Sequence, residues 1–496
     1  VSTPPPPTVR PPRRAPAIVA ILLLLALAGI ANATIKRNRV SAGNAPSAAI
    51  SSASTHGSAL SVAWYCAGPL PLGLKSERSS LILANISDRT VLGEYSVATE
   101  SGVIASHSVD LAAQSSTTIV LPAPPHSAYA AATVLANGAG LAVSEEIRGP
   151  EGSDTSACVD HATQTQYLAG GGTTRPDAVA LALFDPGATP SVVNIAFATP
   201  TGDVAPPAYQ GLPIAAGATL VINAGQYLPS QELIGTTVTS SGGPVVLGSL
   251  ISAVSGTRLL SSLASGTAVA QRSWWLAPAP AGTIAAQRFA ILNPGATPAA
   301  VTLTTVGDDG PAAESVNVPA GGIAQLAPAS DESASALRWA TVTATVPVVV
   351  SRATTLLGPL HSPKTKRGTH TPAISGIDTT ISELPIGYTI GSGTPALARE
   401  WLVGAAGSNA REGELVLLAN PNGYPVNVAF TSLSGGAVPA DLVVGAGDGV
   451  AVPVPASSGS VLIVSATGPV VVDSGSYSRG SSAAIGWSSP GAIVIN

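Results

Sequence analysis

Asp185-Pro186-Gly187-Ala188-Thr189-Pro190 returns as Asn293-Pro294-Gly295-Ala296-Thr297-Pro298 and, less closely, as Asn420-Pro421-Asn422-Gly423-Tyr424-Pro425. Asn85-Ile86-Ser87-Asp88 stands where a degenerate fourth copy belongs. Successive Asn/Asp positions are 100, 108 and 127 residues apart, a period that implies tandem units. The side-chain oxygen of Asn or Asp can cap the backbone that follows it, and Pro presets a turn value of φ, so each copy reads as a tight turn.

Other landmarks keep the same register. A Gly falls seventeen residues on, at Gly102, Gly202 and Gly310, and one residue early at Gly436. A small-residue turn follows at Ala113-Gln114, Ala216-Gly217, Ala320-Gly321 and Ala446-Gly447. Next come β-branched runs after Pro244, Pro347 and Pro469, with Gly140-Leu141-Ala142-Val143 as the first copy's version. An aromatic precedes each Asn/Asp, at Trp64, Tyr167, Trp275 and Trp401. The segments between alternate large and small residues, as in Val193, Ile195 and Phe197, which is the period of a half-buried strand. Short strands separated by turns predict an all-β chain of four tandem immunoglobulin-like sandwiches, at 61–165, 166–273, 274–399 and 400–496. A polar insertion is expected from His361 to Pro395 in the third. A β-propeller is the alternative, and a blade of about 40–50 residues is short against this period.

Ahead of the repeats, residues 1–14 are rich in Pro and Arg, and Ala15 to Ala33 carry no charge. Nineteen helical residues at about 1.5 Å each nearly span the hydrocarbon core. The segment is expected to be a transmembrane signal anchor, with cleavage after Ala31-Asn32-Ala33 as the alternative. Either way the repeats are exported, behind a flexible stalk at 34–60. Cys66 and Cys158 bracket the first repeat, and in an exported chain they are expected to form a disulfide. Six of the 22 basic residues precede Ser41, leaving 16 against 27 acids, a net charge of −11. That balance excludes a general nucleic-acid binder, which needs a basic face.

The order of apolar span, Trp64-Tyr65-Cys66-Ala67-Gly68, Leu83-Ala84-Asn85, a second Cys and then Asn-Pro repeats resembles a family of uncharacterised actinobacterial envelope proteins, secreted or membrane-anchored. The resemblance runs from about Trp64 to the C-terminus. It implies location and fold and brings no catalytic residues.

Catalytic patterns are sparse. Asp473-Ser474-Gly475 sets a Ser beside an acid without a neighbouring His, and reads as small polar residues leaving a strand. His56, His107, His126, His161, His361 and His370 include no i,i+4 pair of the zinc-protease type. Glu145 and Glu146 are neighbours on a predicted strand and so point to opposite faces, unlike the facing carboxylates of a glycosidase; Asp308-Asp309 is a hairpin tip. Gly170-Gly171-Gly172 lacks the Lys of a phosphate loop. There is no Asp-x-Asp-x-Asp-Gly calcium loop, and no metal or cofactor is expected. Trp274 adjoins Trp275, so one of the pair must leave the core. Trp274 and Trp487 are therefore the candidate glycan contacts. The expected function is a non-enzymatic, membrane-tethered extracellular scaffold for protein or glycan contacts. The alternative is a carbohydrate-binding accessory to cell-wall or polysaccharide assembly.

Overall fold

Strands make up nearly all the regular structure of the computed structural model, which describes residues 53–54, 61–68, 78–122, 130–149, 152–255, 258–280, 285–307, 310–328, 337–356, 387–404, 412–455, 461–478 and 493–495. All of these lie in one compact unit, Ala49–Asn496. Among the described residues the helices are two short 3-10 turns, Pro207–Tyr209 and Ala224–Gln226. No helix there is long and apolar enough to cross a membrane. The expected tail at 1–14 and anchor at 15–33 fall outside the described residues. Of the expected stalk, Ala53–Ser54 is strand β1.

In the first repeat β2 (Ser61–Cys66), β3 (Arg78–Asn85), β4 (Val91–Thr99), β5 (Gly102–Leu111), β6 (Ser115–Val120), β7 (Ala131–Asn137), β8 (Leu141–Gly149) and β9 (Gly152–Ala157) form two four-stranded sheets. Their orders are β2-β7-β4-β5 and β6-β3-β8-β9, so the chain crosses repeatedly between them. The second repeat holds β10 (Thr165–Ala169), β11 (Ala178–Phe184), β12 (Ser191–Thr199), β13 (Gly202–Val204), β14 (Leu212–Ile214), β15 (Thr219–Asn223), β16 (Gly235–Ser241), β17 (Val246–Ser255) and β18 (Arg258–Ser265). It repeats the scheme as β10-β16-β12-β13 and β15-β11-β17-β18.

The third repeat comprises β19 (Gln271–Pro280), β20 (Ala285–Leu292), β21 (Ala299–Gly307), β22 (Gly310–Val318), β23 (Ile323–Leu326), β24 (Leu337–Leu356) and β25 (Gly387–Ser392). The fourth comprises β26 (Ala398–Gly404), β27 (Glu412–Ala419), β28 (Val426–Ser432), β29 (Leu442–Val444), β30 (Gly449–Val454), β31 (Val461–Ser478) and β32 (Ile493–Ile495). Here two strands fuse into one: β24 pairs with β19 and β21 by its first half and with β20 and β25 by its second. Strand β31 does the same between β26 and β27. The parallel pairing of β1 with β32 joins the two ends of the described chain. Strand β25 lies within the stretch expected to be a loop insertion. Its Tyr388 and Ile390 are buried against the second repeat's core, so the end of that insertion is a strand; residues 361–386 fall outside the described residues.

Each turn expected at Asn/Asp is present. Oδ1 of Asn85, Asp185, Asn293 and Asn420 accepts from the backbone N two residues on, at 3.0, 2.8, 3.0 and 3.0 Å. Sequence reasoning missed what the other side-chain atom does. All four residues are fully buried. In three of them Nδ2 donates to three carbonyls, one four residues on and two at the end of a later strand. The amide thus staples a turn to a neighbouring strand end and satisfies acceptors that burial would otherwise leave bare. The second turn carries positive φ at Gly217, Gly321 and Gly447, and at the non-glycine Gln114 (φ 47°).

Trp64, Trp274 and Trp401 fill the space between the two sheets of their repeats. The sequence register, which aligned Tyr167 and Trp275 with Trp64 and Trp401, is therefore off by one residue in the middle copies. The second repeat places Gln166 there instead. Gln166 Nε2 donates to the Val245 carbonyl, and Trp274 Nε1 donates to the equivalent Val348 carbonyl at 2.8 Å. A one-residue slip in a strand exchanges its faces, so Tyr65, Tyr167 and Trp275 point the other way, toward the next repeat.

That other face is apolar too. Leu181 and Leu183 of β11 enter their own repeat's core. Ala180, Ala182 and Phe184 pack on Ala67, Ala98 and Ala131 of the first repeat. Ala290 and Leu292 meet Ala169 and Leu233 of the second, and Leu415 and Leu417 meet Ala277 and Trp339 of the third. Leu402, Leu433 and Val461 of the fourth repeat belong to the core of the first, and Ser434 Oγ lies 3.2 Å from Ser116 Oγ. Shared cores therefore run from each repeat to the next and from the last back to the first. The expected row of separate modules is replaced by a closed cycle of paired sheets, because strands apolar on both faces need a neighbour on each side.

Candidate functional site

The inner strands converge on a cavity of about 140 Å³ to which all four repeats contribute, among them Ser156, Thr267, Trp275, Arg352, Trp401 and Asp473. Arg352 and Asp473 are its only charged lining residues among the described ones. Arg352 projects from β24 and is buried. Its Nη1 donates to the carbonyl of Ala277. Burial depresses the guanidinium to about 10, and the charge of Asp473 opposes that fall. Arg352 thus ties β24 to β19 while facing an acid from the next repeat. A burial of this kind in a low-charge chain marks a junction held by polar contacts.

Ser474 follows Asp473 but is fully buried within β31. Its backbone N donates to Asp473 Oδ1 at 2.8 Å. A serine this fully enclosed cannot meet a substrate carbonyl.

The position of Arg352 is occupied by Glu145, Ser249 and Ser474 in the other copies, all buried. Glu145 Oε2 accepts from the Gly68 backbone N at 3.0 Å. Burial pushes its carboxyl up to about 7; the Gly68 hydrogen bond lowers it and nearby Asp154 raises it further. One Glu145 oxygen lies within 4.8 Å of the sulfurs of Cys66 and Cys158. Those sulfurs are joined in a disulfide, as expected, closing a separation of 92 residues. Bonded sulfurs are not thiolate ligands, so this cluster is not a metal centre. Glu146, beside it on β8, is also buried.

Trp274 is 1% exposed with its indole N–H bonded inside the core, which rules it out as a stacking surface. The strand alternation holds, and Trp275 is the member that leaves the core, into the cavity. Trp487 falls outside the described residues, as do His56, His126, His361 and His370. His107 stacks on Tyr95 with ring centroids 5.1 Å apart. His161 is hydrogen-bonded to Asp160, which raises its pKa.

A family profile of unknown function, DUF5719, matches residues 69–246, the span from just after β2 to the start of β17. No curated protein matches the chain. Among solved structures, similarity is found to the crystal structure of a tetra-tandem repeat in the extending region of a large adhesion protein. The identity is 12%, over 83% of this chain and 93% of that one, and the TM-score of 0.10 means that the two chains do not superpose.

Proposed function

We propose that this chain is a non-enzymatic scaffold of the cell envelope: four immunoglobulin-like sandwiches closed into a cycle, held outside the membrane by the apolar segment at 15–33, and presenting their outer strands and loops to envelope proteins or glycans. The observation that carries this reading is how the buried polar groups are spent. Asn85, Asn293 and Asn420 staple turns, Gln166 and Trp274 bond strand carbonyls, and Arg352 holds a carbonyl beside the central cavity. The Cys66–Cys158 disulfide supports export, since such bonds persist in oxidising compartments.

Protease accessibility on intact cells, read by mass spectrometry, tests the address: cleavage after Arg89 in the exposed β3–β4 turn without lysis is expected. A chain found inside the cell with reduced Cys66 and Cys158 would overturn it. Turnover on a panel of glycan, ester and peptide substrates by the purified full chain would overturn the non-enzymatic reading.

A further inference from the structure

The second repeat departs from the other three at its staple, and the departure is chemically specific. Where the others place an Asn amide, it has Asp185, fully buried, with Oδ2 lacking any hydrogen-bond partner. The carbonyls that the amide holds elsewhere correspond here to those of Thr189, Ile214 and Ala215. The correspondence follows the register: Asp185 N donates to Ala218 O as Asn293 N does to Gly322 O, and Ala218 N to Ala215 O as Gly322 N does to Pro319 O. A carboxylate oxygen therefore replaces a donor among acceptors.

A second exchange accompanies it. Ser191 pairs with Ile214 as Val91 does with Leu111, Ala299 with Val318 and Val426 with Val444. Only this copy puts a hydroxyl there. Ser191 is fully buried, and its Oγ also lacks a partner. Three of the oxygens flank one space: a Cβ built on Gly243 would lie 2.7 Å from Ser191 Oγ, 3.6 Å from Thr189 O and 4.0 Å from Asp185 Oδ1. In the fourth copy the space beside Gly468 is bounded by Val426 Cγ2, at 3.0 Å.

A buried carboxylate oxygen, Oδ2, and a buried hydroxyl without partners, beside carbonyls that no amide reaches here, make an under-compensated group of hard oxygens. We propose that Asp185, Ser191 and the carbonyls of Thr189, Ile214 and Ala215 bind a hard cation, which takes the place of the amide staple in this one repeat. All-oxygen ligands with a single carboxylate suit calcium, whose geometry is flexible, or sodium; magnesium demands stricter octahedral geometry and soft metals prefer N or S. The ligands come from two strand ends and a turn, so no linear calcium-loop motif discloses the site.

The test is calorimetry of the full chain after chelation, titrated separately with Ca²⁺, Mg²⁺, Na⁺ and K⁺, alongside Asp185→Asn and Ser191→Ala. For the parent chain a rise in Tm of several degrees is expected at about a hundredfold excess of Ca²⁺ or Na⁺ over Kd. Asp185→Asn restores the amide used by the other copies, so it is expected to melt near the cation-bound parent without any ion and to ignore added ions. Ser191→Ala is expected to keep the response with at least a fivefold weaker Kd. A parent chain indifferent to every ion overturns the proposal. So does an ion response that survives unchanged in Asp185→Asn.

Discussion

Replacing Asn293 by Ala removes one staple and leaves the sheets around it intact. Nδ2 reaches Thr297 O at 2.8 Å, Pro319 O at 3.0 Å and Val318 O at 3.3 Å, while Oδ1 takes Gly295 N at 3.0 Å. An amide has two hydrogens, so the three donor contacts amount to two bonds, one of them shared. Pro319 O keeps a second donor in Gly322 N. The loss is therefore about three hydrogen bonds at roughly 1 kcal/mol each, with a further 1 kcal/mol or so for a bared buried carbonyl. A chain of this size need not unfold in two states, so local opening is the better readout. A loss of about 4 kcal/mol accelerates amide exchange at Asn293 and Gly295 by on the order of a thousandfold, measured by hydrogen exchange with mass spectrometry on a peptide covering 289–299. Asn317→Ala, at an exposed position of the same repeat, is the control. Equal exchange in the two variants, or acceleration under threefold in Asn293→Ala, would refute the staple as an energetic unit.

Four further outcomes follow from the geometry. Gln114→Gly relieves a positive φ that the other copies give to Gly and is expected to raise stability by about 0.5–1 kcal/mol, read as a higher midpoint in urea. Cys66→Ser with Cys158→Ser opens a 92-residue separation, costing roughly 4–5 kcal/mol in the chain-entropy model; thiol reductant should lower the melting temperature of the parent and leave the double variant unmoved. Glu145 is raised from 4.5 to about 7 when folded, so the folded chain holds that proton more tightly, and its contribution is full below pH 4.5 and declines as pH rises to about 7. The decline is of order 3 kcal/mol, and Glu145→Gln should flatten this part of the stability–pH curve. Trp339→Phe deletes the bond from Nε1 to Gly447 O, 3.0 Å long and crossing from the third repeat to the fourth; about 1 kcal/mol is lost, seen as faster exchange around Gly447.

Much of the architecture was legible because turn chemistry is local. The Asn/Asp-Pro steps, the Gly at the hairpins and the Val-rich runs each announce their conformation within a few residues. The aromatic register was not, because the second copy has Gln166 where the others have Trp, and the neighbouring Tyr167 offered a false match. Closure of the cycle had a signal that a search for alternation passes over. Leu81-Ile82-Leu83-Ala84, Ala180-Leu181-Ala182-Leu183-Phe184 and Leu415-Val416-Leu417-Leu418 are apolar without interruption, and such runs belong to strands covered on both faces. The cavity residues were out of reach, since Trp275 and Arg352 meet Asp473 only where the third repeat packs on the fourth. The Asp185 exchange was visible from the start as the odd letter in the motif. Its meaning required knowing that the amide elsewhere is buried and bonded.

Closure also governs how such a gene can grow. In an open solenoid each added unit leaves the same two ends, so length drifts freely among relatives. Here the face of Ile82 and Ala84 is sealed by Leu402 and Leu433, and a fifth unit would have to prise that seam apart before finding anywhere to sit. Loss of one unit would strand two greasy walls in water. Copy number in this architecture is a whole-number constraint of the same kind as the number of staves in a cask, and evolutionary novelty is left to the loops between them.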